Sequence, residues 1–459
     1  MYEKFGQDGR RVIGFAYKTF NASPETEFNA DEENFPHEDL IFSGMCAIMD
    51  PPKEETAEAL KLCKTAGIKV FMVTGDHDLT AAAIAKQIGL IDEGNDKGDD
   101  WEVIKGEDIN DLSEKDWDRL IAKRALVFAR TTPEQKLLIV EECQKRKQII
   151  AMTGDGVNDA PALKRADIGI AMGSGSSVAK EASDIILMND NFASIVDGIR
   201  EGRMMFDNIK KLLGYTQIHS FPEIWPIIIN FCFGFPVGIT PLQILAIDLG
   251  TEIWPGMAMC KEPMEGGVME REPRTRKKVL VSNTLLGYSY TYAGQIQSLG
   301  CFLSYCCIFW YHGINITDLW MSALESWQEG GKDFSSNGRT FSVEEQLYIN
   351  RQACSAWQVG IVFGQFWHIY GVRTRRQSIF SHGVFRNMYS NFALIAELGM
   401  LIAMVYIPGL NTFLGGAPIP LQCWAVVAGF GIFLIVLNEL RKYFCRKYPR
   451  NKIVRLFKW

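Results

Sequence analysis

A basic excess is missing from this 459-residue chain, whose formal net charge is −6. Surfaces that track a polymer of phosphates gather lysine and arginine, so no nucleic-acid partner is expected. Cysteine is missing between Tyr311 and Arg351, a segment expected to be an exterior loop. The 11 cysteines fall instead in cytosolic-looking stretches (Cys46, Cys63, Cys143) or inside apolar runs (Cys232, Cys301, Cys306, Cys307). That distribution argues against a disulfide framework. Met1-Tyr-Glu-Lys-Phe5 lacks a basic leader followed by an apolar core, so no cleavable secretory signal is expected and the first apolar span would direct insertion.

What is present is unevenly spread. Apolar residues make up 47% of the chain, and its character changes near position 212. Before it, strand-like runs at Val70–Thr74, Ala125–Ala129, Ile149–Thr153 and Ile168–Ala171 alternate with helix-like stretches at Leu79–Ile88, Pro133–Lys147 and Ala160–Arg165. This alternation predicts a parallel sheet flanked by helices, with functional turns at the C-terminal ends of its strands. After position 212, six stretches have the length a bilayer needs: roughly 212–233, 237–259, 286–310, 353–371, 391–410 and 421–440. The linkers Lys261–Lys278 and Arg373–Arg376 and the tail Arg441–Lys458 are basic, whereas Tyr311–Arg351 and Pro408–Pro420 are not. The positive-inside rule therefore places the basic segments, the first half and both termini in the cytosol.

Thr153-Gly-Asp-Gly-Val-Asn-Asp-Ala-Pro161 is the most specific motif. Following a strand, it can present a hydroxyl, amides and carboxylates to a phosphoryl group and Mg²⁺, which prefers hard oxygen ligands and takes few of them from protein. Asp155 is the natural magnesium ligand, with Asp159 beside it; the blander reading is a Gly-Asp-Gly turn. Thr74-Gly75-Asp76 offers a hydroxyl and N–H groups to an anion. Lys136 opens a helix where an ammonium can neutralise a developing phosphoryl charge, although a solvated helix lysine looks the same in isolation.

In the second half, Glu223, Asp248 and Glu252 lie inside apolar spans, where an ionised carboxylate costs roughly 2.5–3.5 kcal/mol even on the lenient insertion scale. His219 and Glu223 are four apart, as are Asp248 and Glu252, so each pair shares a helix face. Pro222 and Pro226 are expected to disrupt the first helix around Glu223 and free carbonyls as further oxygen ligands. The plainer alternative is a His219–Glu223 ion pair that fixes helix packing.

In this order, Asp50-Pro-Pro-Lys53, Met72–His77, Phe128–Lys136, Thr153–Met172 and Asp190–Ile195 resemble the phosphorylation domain of P-type ATPases, a haloacid-dehalogenase-like fold. Tyr215–Glu223 and Ile247–Glu252 resemble the fifth and sixth helices of the sodium/potassium and proton/potassium pumps. The resemblance implies residues 1–45 as a remnant of a nucleotide-binding domain, 46–207 as the C-terminal part of the phosphorylation domain and 208–459 as the last six membrane helices. It implies Mg²⁺ and ATP as cofactors, with Thr74, Gly75, Asp76, Lys136, Asp155, Asn158 and Asp159 at the phosphoryl site and Lys53 at ATP. It also implies monovalent cations held by Glu223, Asp248, Glu252, Ser220, Thr251, Gln365 and Glu397, a plasma-membrane location among lipids, and a β-like partner at Ser336-Asn-Gly-Arg339.

Departures from the family pattern bear on which ion moves. His219 stands where sodium pumps have serine and gastric-type pumps lysine; His368 stands where sodium pumps have an aspartate; Glu252 replaces an aspartate. An altered sodium site with electroneutral exchange is the expectation. The tail ends Leu456-Phe-Lys-Trp459 without paired tyrosines, and no Asp-Lys-Thr-Gly-Thr or Thr-Gly-Glu-Ser occurs, so the chain is expected not to phosphorylate itself. A non-enzymatic membrane protein that modulates intact pumps or binds their β subunit is the alternative; a tethered phosphatase would lack a nucleophile. Arg375-Arg-Gln-Ser378 fits a basophilic kinase site at Ser378, or plain membrane-flanking charge, and Asn315-Ile-Thr317 is a weak glycosylation match.

Overall fold

The computed structural model describes residues 2–7, 9–23, 27–29, 35–49, 51–91, 100–275, 278–452, 454 and 459. Asp50, the basic residues 276–277 and the tail residues 456–458 lie outside them. The chain divides into two compact units: Met1–Arg200 with Met269–Pro273, and Glu201–Val268 with Arg274–Trp459.

The first unit is α/β. Strands β1 (Arg11–Tyr17) and β2 (Ile41–Ile48) pair antiparallel. Strands β3 (Val70–Val73), β4 (Trp101–Lys105) and β5 (Ala125–Ala129) form a parallel sheet in the order β3-β5-β4. Strands β6 (Ala151–Gly154), β7 (Ile168–Met172) and β8 (Ile185–Leu187) form another, in the order β6-β7-β8. The parallel arrangement matches the sequence pattern; the single sheet does not, because among the described residues β3 and β6 each have one neighbour. Two strands carried no clear signal: β8 has three residues, and β4, Trp101-Glu-Val-Ile-Lys105, is short and carries two charges at a sheet edge. The central β5 is buried along its whole length and reads as an unbroken apolar run.

A capping box starts the helix Pro133–Lys145. The Thr132 hydroxyl accepts the Gln135 N–H at 3.4 Å, the Gln135 side-chain Oε1 accepts the Thr132 N–H at 3.0 Å, and Pro133 fills the first turn. That cap fixes the first turn, and Lys136 with it.

The second unit is helical, with a small antiparallel pair, Phe334–Ser336 and Arg339–Phe341. The stretches expected to cross a membrane are largely helical, residues 237–240 and 407–409 excepted, and among the described residues two helices, Met388–Tyr406 and Leu421–Lys447, are long and apolar enough to do so. The helix Val343–Val372 carries a buried polar row instead, with Gln352, Ser355, Gln358, Gln365 and His368 turned inward. The second stretch is interrupted: Pro241–Ala246 leads into a π-helical turn, Ile247–Thr251, then Ile253–Met259. A second π-helical turn, Tyr288–Ala293, is closed by Gly294, where a Cβ would meet the Ser289 carbonyl oxygen at 2.5 Å.

The expected disruption at Pro222 and Pro226 does not occur. The helix Phe192–Phe233 runs through both prolines. Pro226 cannot donate to the Pro222 carbonyl, which instead accepts the Trp357 indole N–H at 2.9 Å. That carbonyl is therefore satisfied by packing rather than offered to an ion.

Candidate functional site

In the first unit, the motifs at the ends of β3, β5 and β6 form one constellation. The Lys136 ammonium donates to Asp159 Oδ1 at 2.7 Å, and Asp159 Oδ2 accepts the Gly156 N–H at 3.3 Å. Asp159 is buried, and a Cβ on Gly154 would meet its carboxylate at 2.7 Å or less, so that glycine lets the carboxylate fold back on its own turn. Asp155 and Asn158 are exposed. The Asp155 carbonyl is held by the Ser176 N–H at 2.8 Å, which fixes its backbone and leaves its carboxylate to solvent. A hard, partly hydrated cation suits such a group better than the occupied Asp159.

Thr74 closes β3. Its N–H donates to Phe128 at 2.9 Å, and its carbonyl accepts both the N–H and the hydroxyl of Thr131, at 3.1 and 3.0 Å. The Thr74 hydroxyl accepts the Asp76 N–H at 3.1 Å, while Gly75 and Asp76 are exposed. Lys53 donates to the Asp190 carbonyl at 2.6 Å, tying the two ends of the resembling region together. Hydrogen bonding to Ser174 holds the Asp190 carboxyl below its ordinary range.

In the second unit, polar residues from four helical segments converge. His219 Nε2 lies 3.3 Å from Asp248 Oδ1, and Nδ1 lies 3.7 Å from Glu252 Oε2. His219, Glu223 and Asp248 each offer a ligand atom within 4.8 Å of the others. The sequence paired His219 with Glu223 along one helix; its ion-pair partners lie across on the π-helical turn and at its end. Glu252 and Glu397 are buried, and both oxygens of each carboxylate lack a hydrogen-bond partner among the described residues. Gln365 donates to the Tyr215 carbonyl at 3.3 Å, and its own buried Oε1 has no partner among the described residues. The Thr251 hydroxyl turns back to the Ile247 carbonyl at 3.1 Å, and Ser220 is half-buried. Buried acceptors without donors are costly, and a dehydrated cation is the complement that such oxygens suit.

Sequence reasoning passed over Tyr215, whose buried hydroxyl has no hydrogen-bond partner among the described residues. Its signal was there, one helical turn before His219. It also passed over Trp357, for which no local signal exists.

Ser378 is half-buried and caps the helix Ile379–His382, accepting the Phe380 N–H at 3.3 Å. The backbone ahead of it is clamped, because Glu265 accepts the N–H groups of Arg375, Arg376 and Gln377 at 2.9, 3.0 and 3.1 Å. A kinase would have to release that clamp. Burial pushes the Glu265 carboxyl up, but Lys211 at 3.2 Å and the three N–H groups outweigh it and bring it to about 2. A carboxyl depressed in the folded state stabilises above its unfolded pKa of about 4.3 and loses that contribution as pH falls towards the folded value. Glu265→Gln is therefore expected to remove about 3 kcal/mol at pH 7 and progressively less between about pH 4 and 2. Unfolding midpoints across that range check it.

Residues 236–444 match the family model described as cation transporting ATPase, C-terminus. Residues 10–167 and 136–199 match models described as haloacid dehalogenase-like hydrolase. The chain is 38% identical over 473 residues to potassium-transporting ATPase alpha chain 2 of Oryctolagus cuniculus, covering 98% of this chain and 43% of the relative. It is also 38% identical over 478 residues to sodium/potassium-transporting ATPase subunit alpha-4 of Homo sapiens, covering 99% and 46%. The chain belongs to the P-type cation-transporting ATPase family. It spans less than half the length of these relatives. The haloacid-dehalogenase-like match accounts for the parallel α/β architecture of the first unit, and the ATPase match covers most of the helical unit with its buried carboxylates.

Proposed function

We propose that this chain is the C-terminal part of an ATP-driven pump that couples aspartyl-phosphate chemistry to the exchange of monovalent cations across the plasma membrane. The observation that carries the reading is the convergence of His219, Glu223 and Asp248 within 4.8 Å, beside the buried Glu252. On this reading the six helical stretches cross the bilayer with both ends cytosolic, and a β-like subunit engages the exterior loop near Ser336. Residues 1–45, 46–207 and 208–459 are then the end of a nucleotide-binding domain, most of a phosphorylation domain and the transmembrane domain.

In the phosphorylation domain, Asp155 would hold Mg²⁺, which when bound supplies charge neutralisation at the phosphoryl group. Lys136 brings a fixed positive charge, and Thr74 and Gly75 bring a hydroxyl and an N–H. Lys53 would contact ATP. The nucleophilic aspartate must come from elsewhere, since no Asp-Lys-Thr-Gly-Thr occurs in the 459 residues. β3 and β6, which end in the Thr74 and Asp155 turns, each have a single neighbour, which suits a further parallel strand. Incubated with γ-labelled ATP, the 459-residue chain is expected to form no acid-stable phosphoenzyme, whereas the protein extended upstream forms one. Label on the short chain would refute this. An unlabelled chain that co-purifies with intact pumps and changes their turnover would instead be the modulator.

His219 sets ion choice on this reading. An imidazole bridging Asp248 and Glu252 occupies space and charge that a second cation would otherwise take. The extended protein is therefore expected to exchange ions electroneutrally, and His219→Ser to acquire a sodium-dependent outward current. A sodium-dependent outward current already present in the wild type would rule it out.

A further inference from the structure

The helical unit contains a second buried polar cluster whose character is opposite to that of the carboxylate site. His368, Asn438 and Trp459 are buried, and Nδ1 and Nε2 of His368, Nδ2 of Asn438 and Nε1 of Trp459 have no hydrogen-bond partner among the described residues. All three surround Tyr288. The Tyr288 hydroxyl donates to Asn438 Oδ1 at 2.7 Å, and its ring centroid lies 6.3 Å from the imidazole and 5.1 Å from the indole. The Arg441 guanidinium sits 5.0 Å from the Tyr288 ring and 5.4 Å from the Trp459 ring.

The unmatched groups are mainly donors. An indole nitrogen only donates, the Asn438 carbonyl oxygen is already taken by Tyr288, and a neutral imidazole still offers one N–H. A buried donor left without an acceptor is costly. The charged groups facing the imidazole, Arg441 and Lys442, are both cations. Lys442 is engaged by Glu439 at 2.5 Å and by the Thr374 hydroxyl at 2.9 Å. A cation entering here would meet N–H groups and positive charge. The complement of this cluster is a compact negative acceptor.

We propose that the cluster is a binding site for a halide-sized monovalent anion, held by the N–H groups of Asn438, Trp459 and His368 against the Arg441 guanidinium. The test uses the full-length protein with bromide as probe. Crystals soaked in bromide are expected to show an anomalous peak among Asn438 Nδ2, Trp459 Nε1 and the imidazole. In solution, sodium bromide in place of sodium gluconate at equal ionic strength is expected to raise the unfolding midpoint by about 2–4 °C. Trp459→Phe, which deletes the N–H and keeps the ring, and His368→Leu should each abolish most of that shift. Identical melts in the two salts, a shift undiminished in both variants, or density without anomalous signal, which marks water, would each overturn the proposal.

Discussion

Lys136→Met is expected to lower phosphoenzyme turnover of the full-length protein by about 10²–10³-fold, the usual cost of deleting one preorganised charge from a phosphoryl-transfer site. The same change is expected to destabilise the first unit by about 3–5 kcal/mol. Lys136 and Asp159 are largely shielded from water, with side-chain exposures of 13% and 10%, so removing the ammonium leaves a buried carboxylate whose remaining partner is the Gly156 N–H. Two effects of one substitution can be separated by adding Asp159→Asn. The neutral amide no longer needs a counter-charge, so the double variant should regain most of the lost stability, read as the unfolding midpoint. It should not regain turnover, because the charge proposed to face the phosphoryl group is still absent. Recovery of both together would mean that Lys136 acts only by holding the Asp159 turn in place. Retention of more than a tenth of the turnover by Lys136→Met would remove it from the chemistry.

The sequence revealed what depends on local order. The alternation of apolar runs with helix-like stretches gave the parallel sheets, and β5 was plain because burial on both faces leaves no polar alternation to read. The turn at Thr153–Pro161 was legible because its glycine, carboxylates and proline are adjacent in sequence. What stayed hidden depends on partners distant along the chain. Pro222 and Pro226 promised a broken helix, and only Trp357, 135 residues later, satisfies the carbonyl that Pro226 frees. The spacing of His219 and Glu223 put the two on one helix face, with an ion pair between them as the plainer alternative; what the spacing did not show is the π-helical turn at Ile247–Thr251 that brings Asp248 and Glu252 to the imidazole as well. A wider turn changes which side chains share a face, and nothing in six residues announces it. The donor cluster around Tyr288 was equally hidden, since its members come from four segments, though His368 drew notice as a departure from the family pattern.

Arg373→Met is expected to cost the second unit about 3–5 kcal/mol at neutral pH, a larger loss than deletion of any exposed ion pair would cause. Arg373 and Glu262 are both fully buried, with Nε at 3.1 and 3.0 Å from the two carboxylate oxygens. The carboxylate is further bonded to His382 Nε2 at 3.1 Å and to Asn387 Nδ2 at 2.7 Å, and the Arg373 guanidinium also reaches the Val384 carbonyl. Burial alone would raise the Glu262 carboxyl, but His382, Arg373 and Asn387 together hold it below the usual range. In the wild type its contribution is therefore present above the unfolded pKa of about 4.3 and fades as acid protonates the folded carboxyl. Without the guanidinium, burial outweighs the remaining bonds and the sign reverses: the folded carboxyl binds its proton more tightly than the unfolded one. The deficit of Arg373→Met should then be greatest at pH 7 and shrink as pH falls. Glu262→Gln added to Arg373→Met should recover most of it at pH 7, because an amide can keep the Asn387 and His382 contacts with no charge to balance. Unfolding midpoints of the wild type and the three variants at pH 7 and pH 5 measure the cycle. A deficit that is unchanged or larger at pH 5, or no recovery in the double variant, would show that Arg373 acts by filling space rather than by balancing the buried carboxylate.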